Sequence, residues 1–310
     1  MTNRIHQLAP EIANQIAAGE VIERPANAVK ELVENALDAD ARRIDIDIEG
    51  GGKTLIRVRD DGTGMNGEDA VLALQRHATS KLQSIDDLYA IKTLGFRGEA
   101  LPSIASVSRF TLQSRDDESE AGTRLEVEGG IVQSADEVAS TRGTEISVRD
   151  LFFNTPARFK FLKSDSAEAA RINETIGHLA LSHPDVAFRL HHNGNELLRA
   201  EGGGNALNAV ACVLGRDTAR AMLPISASTR DENGIIVTGF AGRPQLTRGN
   251  RNAQLFFVNG RIIKNRSLQH AVGAAYEGLL HGRDRFPVVV LFIEMPPGAV
   301  DVNVLSLIHI

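Results

Sequence analysis

The sequence predicts an α+β fold, with helices on one face of a largely antiparallel sheet, followed by a second, smaller α/β unit. Three observations predict it. An amphipathic helical run leads directly into alternating strands joined by a glycine turn. Helices and strands then come in blocks rather than in regular alternation. After Glu201-Gly202-Gly203-Gly204 a new series begins that contains a β-α-β arrangement. At 310 residues the chain is too long for one ordinary domain and fits two, expected at 1–203 and 204–304, with an aberrant tail at 305–310.

Each element has its own signal. Residues 8–18 carry Pro10 near their start, Ile12 and Ile16 one turn apart, and Gly19 as a stop, the pattern of a short helix. KELVENALDA (30–39) is the stretch around which the first half is organised. Ala28, Val29, Leu32, Val33, Ala36 and Leu37 recur there at helical spacing, and Pro25 suits a first turn. RIDIDIE (43–49) and the stretch around Ile56 and Val58 alternate as half-buried strands do, joined by Gly50-Gly51-Gly52-Lys53. Helices follow over about 68–77, near 86–91 and from Gly98 onward, then strands over 109–115, 123–128 and 143–149. DLFFNTPARFKFL (150–162) mixes aromatic and cationic residues and leads to a long helix over 166–181, stopped near Pro184. His192-Asn193-Gly194-Asn195 turns a hairpin. In the second unit a helix over 205–214 comes first, then strands over 235–240, 254–258 and 287–294, with a helix over 268–280 between the last two.

Composition narrows the function classes. A hydrophobic share of 42% and a charged share of 24% are those of a globular protein. The first ten residues hold no long apolar run and nothing later could span a bilayer, so neither signal peptide nor membrane partner is expected. The single cysteine, Cys212, excludes an internal disulfide and a Cys-rich zinc site, and fits a reducing cytoplasm. A net charge of −6 argues against a uniformly basic DNA-coating protein, while leaving local patches open.

Several motifs carry chemistry. Glu31, Asn35 and Asp38 stack three oxygen-bearing side chains on one helical face, although an isolated Glu-x-x-x-Asn is more often a solvated polar face. RDDGTGM (59–65) ends a strand. Asp60 there can accept a hydrogen bond from an amino group such as adenine's, and Gly62 and Gly64 let a flat ring approach the backbone. An ordinary Asp-Gly turn is the plain alternative. LGFRGEAL (94–101) offers a glycine turn and a helix start whose free N–H groups favour an anion, with Arg97 and Lys81 at hand. Its alternative is a surface loop capping a helix. GGKT at 51–54 is not a Walker loop: Asp47 stands where the first glycine must be, and two strands flank it. Finally, Arg243, Arg248, Arg251, Arg261, Lys264 and Arg266 occur without any Asp or Glu between 243 and 266, as either solvated arginines or a phosphate-backbone contact.

KELVENALDA, RDDGTGM, HATSK (77–81), LGFRGEAL and Gly143-Thr144 together resemble the ATP-binding module shared by DNA gyrase, heat-shock chaperone, histidine kinase and MutL ATPases. Within that group, the strings at 15–39, 95–108, 151–162 and 257–265 resemble the MutL family of DNA mismatch repair, and the resemblance covers nearly the whole chain. It implies an ATPase domain followed by a smaller domain resembling one in a small-subunit ribosomal protein. Glu31 matches the general base that polarises the attacking water, and Asn35 the residue that holds the magnesium ion. Asp60 matches the adenine-binding carboxylate, with Gly62 and Gly64 beside it. Thr79, Ser80 and Lys81, with Gly95, Phe96, Arg97, Gly98 and Glu99, match a mobile lid over the triphosphate, and Thr144 a polar contact behind the adenine.

The resemblance further implies slow ATP hydrolysis with Mg²⁺ and an ATP-induced homodimer to which the segment before Gly19 crosses. It also implies DNA contact through Arg261, Lys264 and Arg266, and signalling from a mismatch-recognition protein to a downstream nuclease and helicase in the bacterial cytoplasm, at the nucleoid. One departure stands out. After Asp301-Val302-Asn303-Val304 the family continues with a His-Pro-x-Lys stretch whose lysine reaches the γ-phosphate, whereas this chain reads Leu305-Ser306-Leu307-Ile308-His309-Ile310. A hydrolysis-deficient nucleotide- and DNA-binding fragment is therefore the alternative. A topoisomerase subunit is disfavoured by FRGEAL and NTPARFKFL.

Overall fold

In the computed structural model of the chain, which describes residues 19, 21–81, 94–95, 98–228, 234–280, 284–296 and 300, the central amphipathic run is helix α1 (Pro25–Asp38). Pro25 is its first residue, where a missing N–H costs nothing, and Ala28, Val29, Leu32, Val33 and Ala36 form its buried stripe. The helices expected at 8–18 and 86–91, with Phe96, Arg97 and the stretch 301–310, lie outside the described residues.

Strands β1 (Arg43–Glu49) and β2 (Leu55–Asp60) pair antiparallel around a turn of 3-10 helix at Gly50–Gly52. Then come α2 (Gly67–Leu72), α3 (Ala100–Ser106), β3 (Arg109–Arg115), β4 (Gly122–Glu128), β5 (Ile131–Val138) and β6 (Gly143–Arg149). Helices α4 (Pro156–Phe161) and α5 (Asp165–Ser182) precede the hairpin β7 (Ala187–His192) and β8 (Asn195–Glu201). The eight strands lie in the order β5-β4-β3-β6-β2-β1-β7-β8, antiparallel throughout except for the parallel pairing of β1 with β7. Ile44, Ile46 and Ile48, Ile56 and Val58, Phe110 and Leu112, and Ile146 and Val148 turn one face inward, and α1 and α3 pack on the sheet there.

The second sheet, β13-β12-β15-β10-β9, belongs to a separate compact unit that comprises, among the described residues, 178–184 and those from 204 onward. Its elements are α6 (Ala206–Leu214), α7 (Arg216–Arg220), β9 (Met222–Ser228), β10 (Ile236–Gly242), β11 (Thr247–Arg248), β12 (Gln254–Val258), β13 (Arg261–Ile263), α8 (Arg266–Ala275), β14 (Phe286–Pro287) and β15 (Val289–Glu294). The parallel pairing of β12 with β15 around α8 is the expected β-α-β unit. Every residue of β12 is buried, because Leu255 and Phe257 face one core while Phe256 packs with Val272 of α8 on the other.

Some boundaries differ from expectation. The helix expected over 68–77 ends at Leu72, and the chain then turns through to His77, whose φ is +63°. The helix expected over 268–280 begins at Arg266, because the Asn265 side chain caps it by accepting from Leu268 N–H at 3.0 Å. It ends at Ala275, before the left-handed Gly278. Strands β5, β9 and β11 and helix α7 carry no clear signal in the sequence.

Candidate functional site

Helix α1 presents Glu31, Asn35 and Asp38 along one face, as the spacing requires. Only the Asp38 carboxylate is nearly buried, and it accepts from three donors: Lys81 Nζ at 2.6 Å, Leu94 N–H at 2.9 Å and Gly95 N–H at 3.1 Å. The same Lys81 ammonium donates to Asn35 Oδ1 at 2.7 Å. HATSK and the start of LGFRG, distant in sequence, are thus both tied to this helix face. Thr79 and Ser80 are exposed, and Thr79 Oγ1 accepts from Lys81 N–H at 3.1 Å. Glu31 is partly exposed with Lys30 Nζ 3.7 Å away, whereas Glu34 on the next turn is buried and bound by Lys30 at 2.8 Å.

Asp60 closes β2. Its Oδ1 accepts from Gly62 N–H at 2.9 Å, and burial pushes its carboxyl up to about 6 against the opposing pull of the Gly62 and Thr144 N–H groups. In register, Thr144 of β6 faces Asp60 on one side and Ser114 of β3 on the other, with the two hydroxyls 2.9 Å apart. Ser114 Oγ also accepts from Met65 N–H at 2.9 Å, which fixes the end of the RDDGTGM turn. The turn adjoins α1 through Ala39, whose carbonyl accepts from Thr63 N–H at 2.9 Å. The carboxylate turn and the Asn35-Asp38-Lys81 group are therefore neighbours in one unit.

The two glycines of this turn have a structural reason beyond room for a flat ring. A Cβ on Gly62 would lie 2.7 Å from the Ala39 carbonyl oxygen. One on Gly64, at φ +70°, would lie 2.0 Å from that of Arg115. Protein backbone, before any ligand, demands glycine at both. Gly64→Ala is expected to lower stability by at least about 1–3 kcal/mol, read from the urea unfolding midpoint.

Gly98 (φ +61°) accepts through its carbonyl from His77 N–H at 3.2 Å, which brings the HATSK and LGFRGEAL motifs together. Helix α3 begins just after it, with Glu99 as N-cap and its carboxylate 3.7 Å from His77 Nδ1. Sequence reasoning missed Ser114 and undervalued Asp38. The latter's position seven residues after Glu31 was the available signal, but its donors come from segments that only folding brings near.

In the other unit Asn259 (φ +47°) and Gly260 (φ +79°) make the tight turn between β12 and β13. Lys264 and Arg266 are exposed and Arg261 is half-buried. Two of the other cations are engaged: Arg248 donates to Thr218 Oγ1 at 3.1 Å, and Arg251 lies 4.9 Å over the Phe286 ring. No described helix is long and apolar enough to cross a membrane.

Residues 22–151 match the family described as "Histidine kinase-, DNA gyrase B-, and HSP90-like ATPase", and residues 210–305 the family "DNA mismatch repair protein, C-terminal domain". The DNA mismatch repair protein MutL of Desulforudis audaxviator is 54% identical over 97% of this chain and 53% of its own length. That of Geobacter sulfurreducens is 51% identical over 98% of this chain and 49% of its own. The chain thus spans about half the length of the curated relatives it matches. Among solved structures, the Aquifex aeolicus MutL ATPase domain complexed with ADP is 33% identical with a TM-score of 0.66, and the match covers 89% of this chain and 94% of that one. With the α+β architecture and the arrangement of its motifs, these likenesses show that the chain belongs to the MutL family of DNA mismatch repair proteins.

Proposed function

We propose that the chain binds ATP in the first unit, hydrolyses it slowly, and acts as a nucleotide-controlled switch in DNA mismatch repair. The observation that carries this reading is the junction of the Asp60-Thr144 corner with the Glu31-Asn35-Lys81 face. Asp60 accepts from the adenine amino group, Gly62 and Gly64 shape the turn beneath it, and Thr144 stands beside the carboxylate. Lys81, with the backbone at Gly95 and Gly98, serves the phosphates. Thr79, Ser80, Phe96, Arg97 and Glu99 belong to the same proposal through the family motif.

The residues present fit a magnesium ion that arrives with nucleotide. Asn35 Oδ1 already holds one cation, the Lys81 ammonium, and among the described residues no group of three or more His, Cys, Asp or Glu could hold a metal alone. Asn35 would therefore supply one oxygen, with phosphates and water supplying the rest. Bound there, magnesium neutralises charge on the phosphates. Glu31, one helical turn away, orients and polarises the attacking water, so that catalysis is mostly positioning. Single-turnover hydrolysis by this chain, compared with a chain ending in the family's lysine segment, tests the reading. Turnover only in the lysine-bearing chain, with this chain binding but not turning over, would leave the hydrolysis-deficient alternative.

Family membership also supports ATP-induced dimerisation of these N-terminal regions and coupling of a mismatch-recognition protein to downstream nuclease and helicase. It supports DNA contact through Arg261, Lys264 and Arg266 as well. The exposed Lys264 and Arg266 have no acidic partner among the described residues, which suits phosphate binding without base reading. Arg266→Glu is expected to weaken single- and double-stranded DNA alike. The slope of log affinity against log salt should fall by roughly 0.7 to 0.9 for each phosphate no longer neutralised. Fluorescence anisotropy over a salt series, with and without an ATP analogue, reads both. An unaltered slope would place the DNA path elsewhere.

A further inference from the structure

We infer that Lys81 is a placeholder cation: without magnesium its ammonium occupies Asn35, and magnesium-nucleotide takes that oxygen from it, leaving the ammonium on Asp38. This rests on the nucleotide-binding reading above and adds to it how metal arrival is coupled to the chain around the site.

Three features of the geometry support it. First, the ammonium has a built seat. It sits 2.7 Å from Asn35 Oδ1 and 2.6 Å from Asp38 Oδ2, with the Lys81 and Asp38 side chains only 19% and 8% exposed. Charge-assisted bonds in such partial burial are stronger than at an open surface. Gly95 closes over it: a Cβ there would come within 3.2 Å of Nζ and 3.8 Å of Asn35 Oδ1. Second, the seat suits a monovalent cation better than a bare divalent one. One carboxylate and one amide oxygen satisfy an ammonium, whereas magnesium needs near-octahedral oxygens, and no group of three or more His, Cys, Asp or Glu among the described residues supplies them. Third, the two cations exclude each other at Asn35, since an ammonium and a divalent ion on one oxygen repel strongly in a partly desolvated site. Asp38 is then the positioning residue. It keeps a return seat for Lys81 while accepting from Leu94 and Gly95 N–H, so that the ammonium's position is felt at 94–95.

Calorimetric titration of ADP into the wild-type chain, Lys81→Met and Lys81→Arg, in magnesium and again in EDTA, tests the inference. In EDTA the ammonium stays at Asn35 and stands in for the metal beside the phosphates; in magnesium it competes with the metal for that oxygen. Removing it therefore acts in one direction on the ratio of the dissociation constant in EDTA to that in magnesium. Lys81→Met should raise that ratio by about tenfold or more, the size expected of a charge-assisted hydrogen bond. Lys81→Arg, which keeps the charge, should stay close to wild type. A purely structural role for Lys81 would shift both constants together. An unchanged ratio in Lys81→Met, with ADP still bound, overturns the placeholder role alone. Absence of ADP binding by the wild type in magnesium overturns the nucleotide reading with it. In the nucleotide-free chain, Asp38→Asn should also speed hydrogen exchange at the Leu94 and Gly95 amides. Exchange as slow as in wild type would remove Asp38 from the device.

Discussion

Glu31→Ala is expected to lower ATP turnover by about 10²–10⁴-fold while leaving binding of a non-hydrolysable analogue with magnesium nearly intact. Glu31 stands one turn before Asn35 on the same face of α1, close to where the metal would be held. It takes no part in the Asn35-Asp38-Lys81 bonds, so its removal leaves that group standing. The side chain is 28% exposed, so it is open to water. Glu34 is the control. It is the other carboxylate of KELVENALDA's first two turns, but it is buried and bound by Lys30 at 2.8 Å. Glu34→Ala should therefore act on stability, seen in thermal unfolding, without a comparable selective loss of turnover. Equilibrium binding beside single-turnover hydrolysis separates the two. Unchanged turnover in Glu31→Ala would remove that residue from the role, and a loss confined to Glu34→Ala would transfer it.

The same helix shows how far the sequence could be read. Its buried stripe, its proline start and its polar face follow from 3.6-residue periodicity, and the RIDIDIE hairpin from period two, because both are half-buried elements with one apolar side. β5 was illegible for the opposite reason. It is an edge strand of the sheet, Ile131 and Val132 are exposed, and no face of it is apolar enough to alternate. β9 is likewise an edge strand and mostly exposed. In the site, the residues legible in sequence were those whose chemistry is local: Asp60 at a strand end, and Glu31 and Asn35 a turn apart. Asp38 and Ser114 act through donors supplied by 81, 94 and 95 and by 65, and no local pattern reports such long-range partners. Gly62 and Gly64 were legible as glycines but for an incomplete reason, since backbone carbonyls of Ala39 and Arg115 crowd them from the protein side.

Asp60→Asn should weaken adenine nucleotides by about 1–3 kcal/mol, roughly five- to 150-fold, because an amide can present a donor where the adenine amino group needs an acceptor. The amide cannot escape this by simple rotation. One Asp60 oxygen already accepts from Gly62 N–H at 2.9 Å, so an amide oxygen kept in that place leaves the NH₂ group toward the ligand. The wild-type carboxylate adds a pH signature. Burial raises its pKa to about 6, so the folded nucleotide-free chain holds this proton more tightly than an unfolded chain does. Asp60 therefore favours folding fully at pH below its unfolded value, near 4, and that contribution is lost as pH rises through about 6. Nucleotide affinity runs the other way. Adenine needs the ionised acceptor, so binding should weaken as pH falls through about 6 and level off above about 7. Calorimetric titrations of ADP from pH 5 to 8 on wild type and Asp60→Asn would show both effects, the variant being weaker at neutral pH and nearly flat across the range. Equal neutral-pH affinity in the two proteins would return the Asp-x-Gly-x-Gly turn to a structural role. A wild-type profile as flat as the variant's would mean that the proton on Asp60 is not the one that adenine displaces.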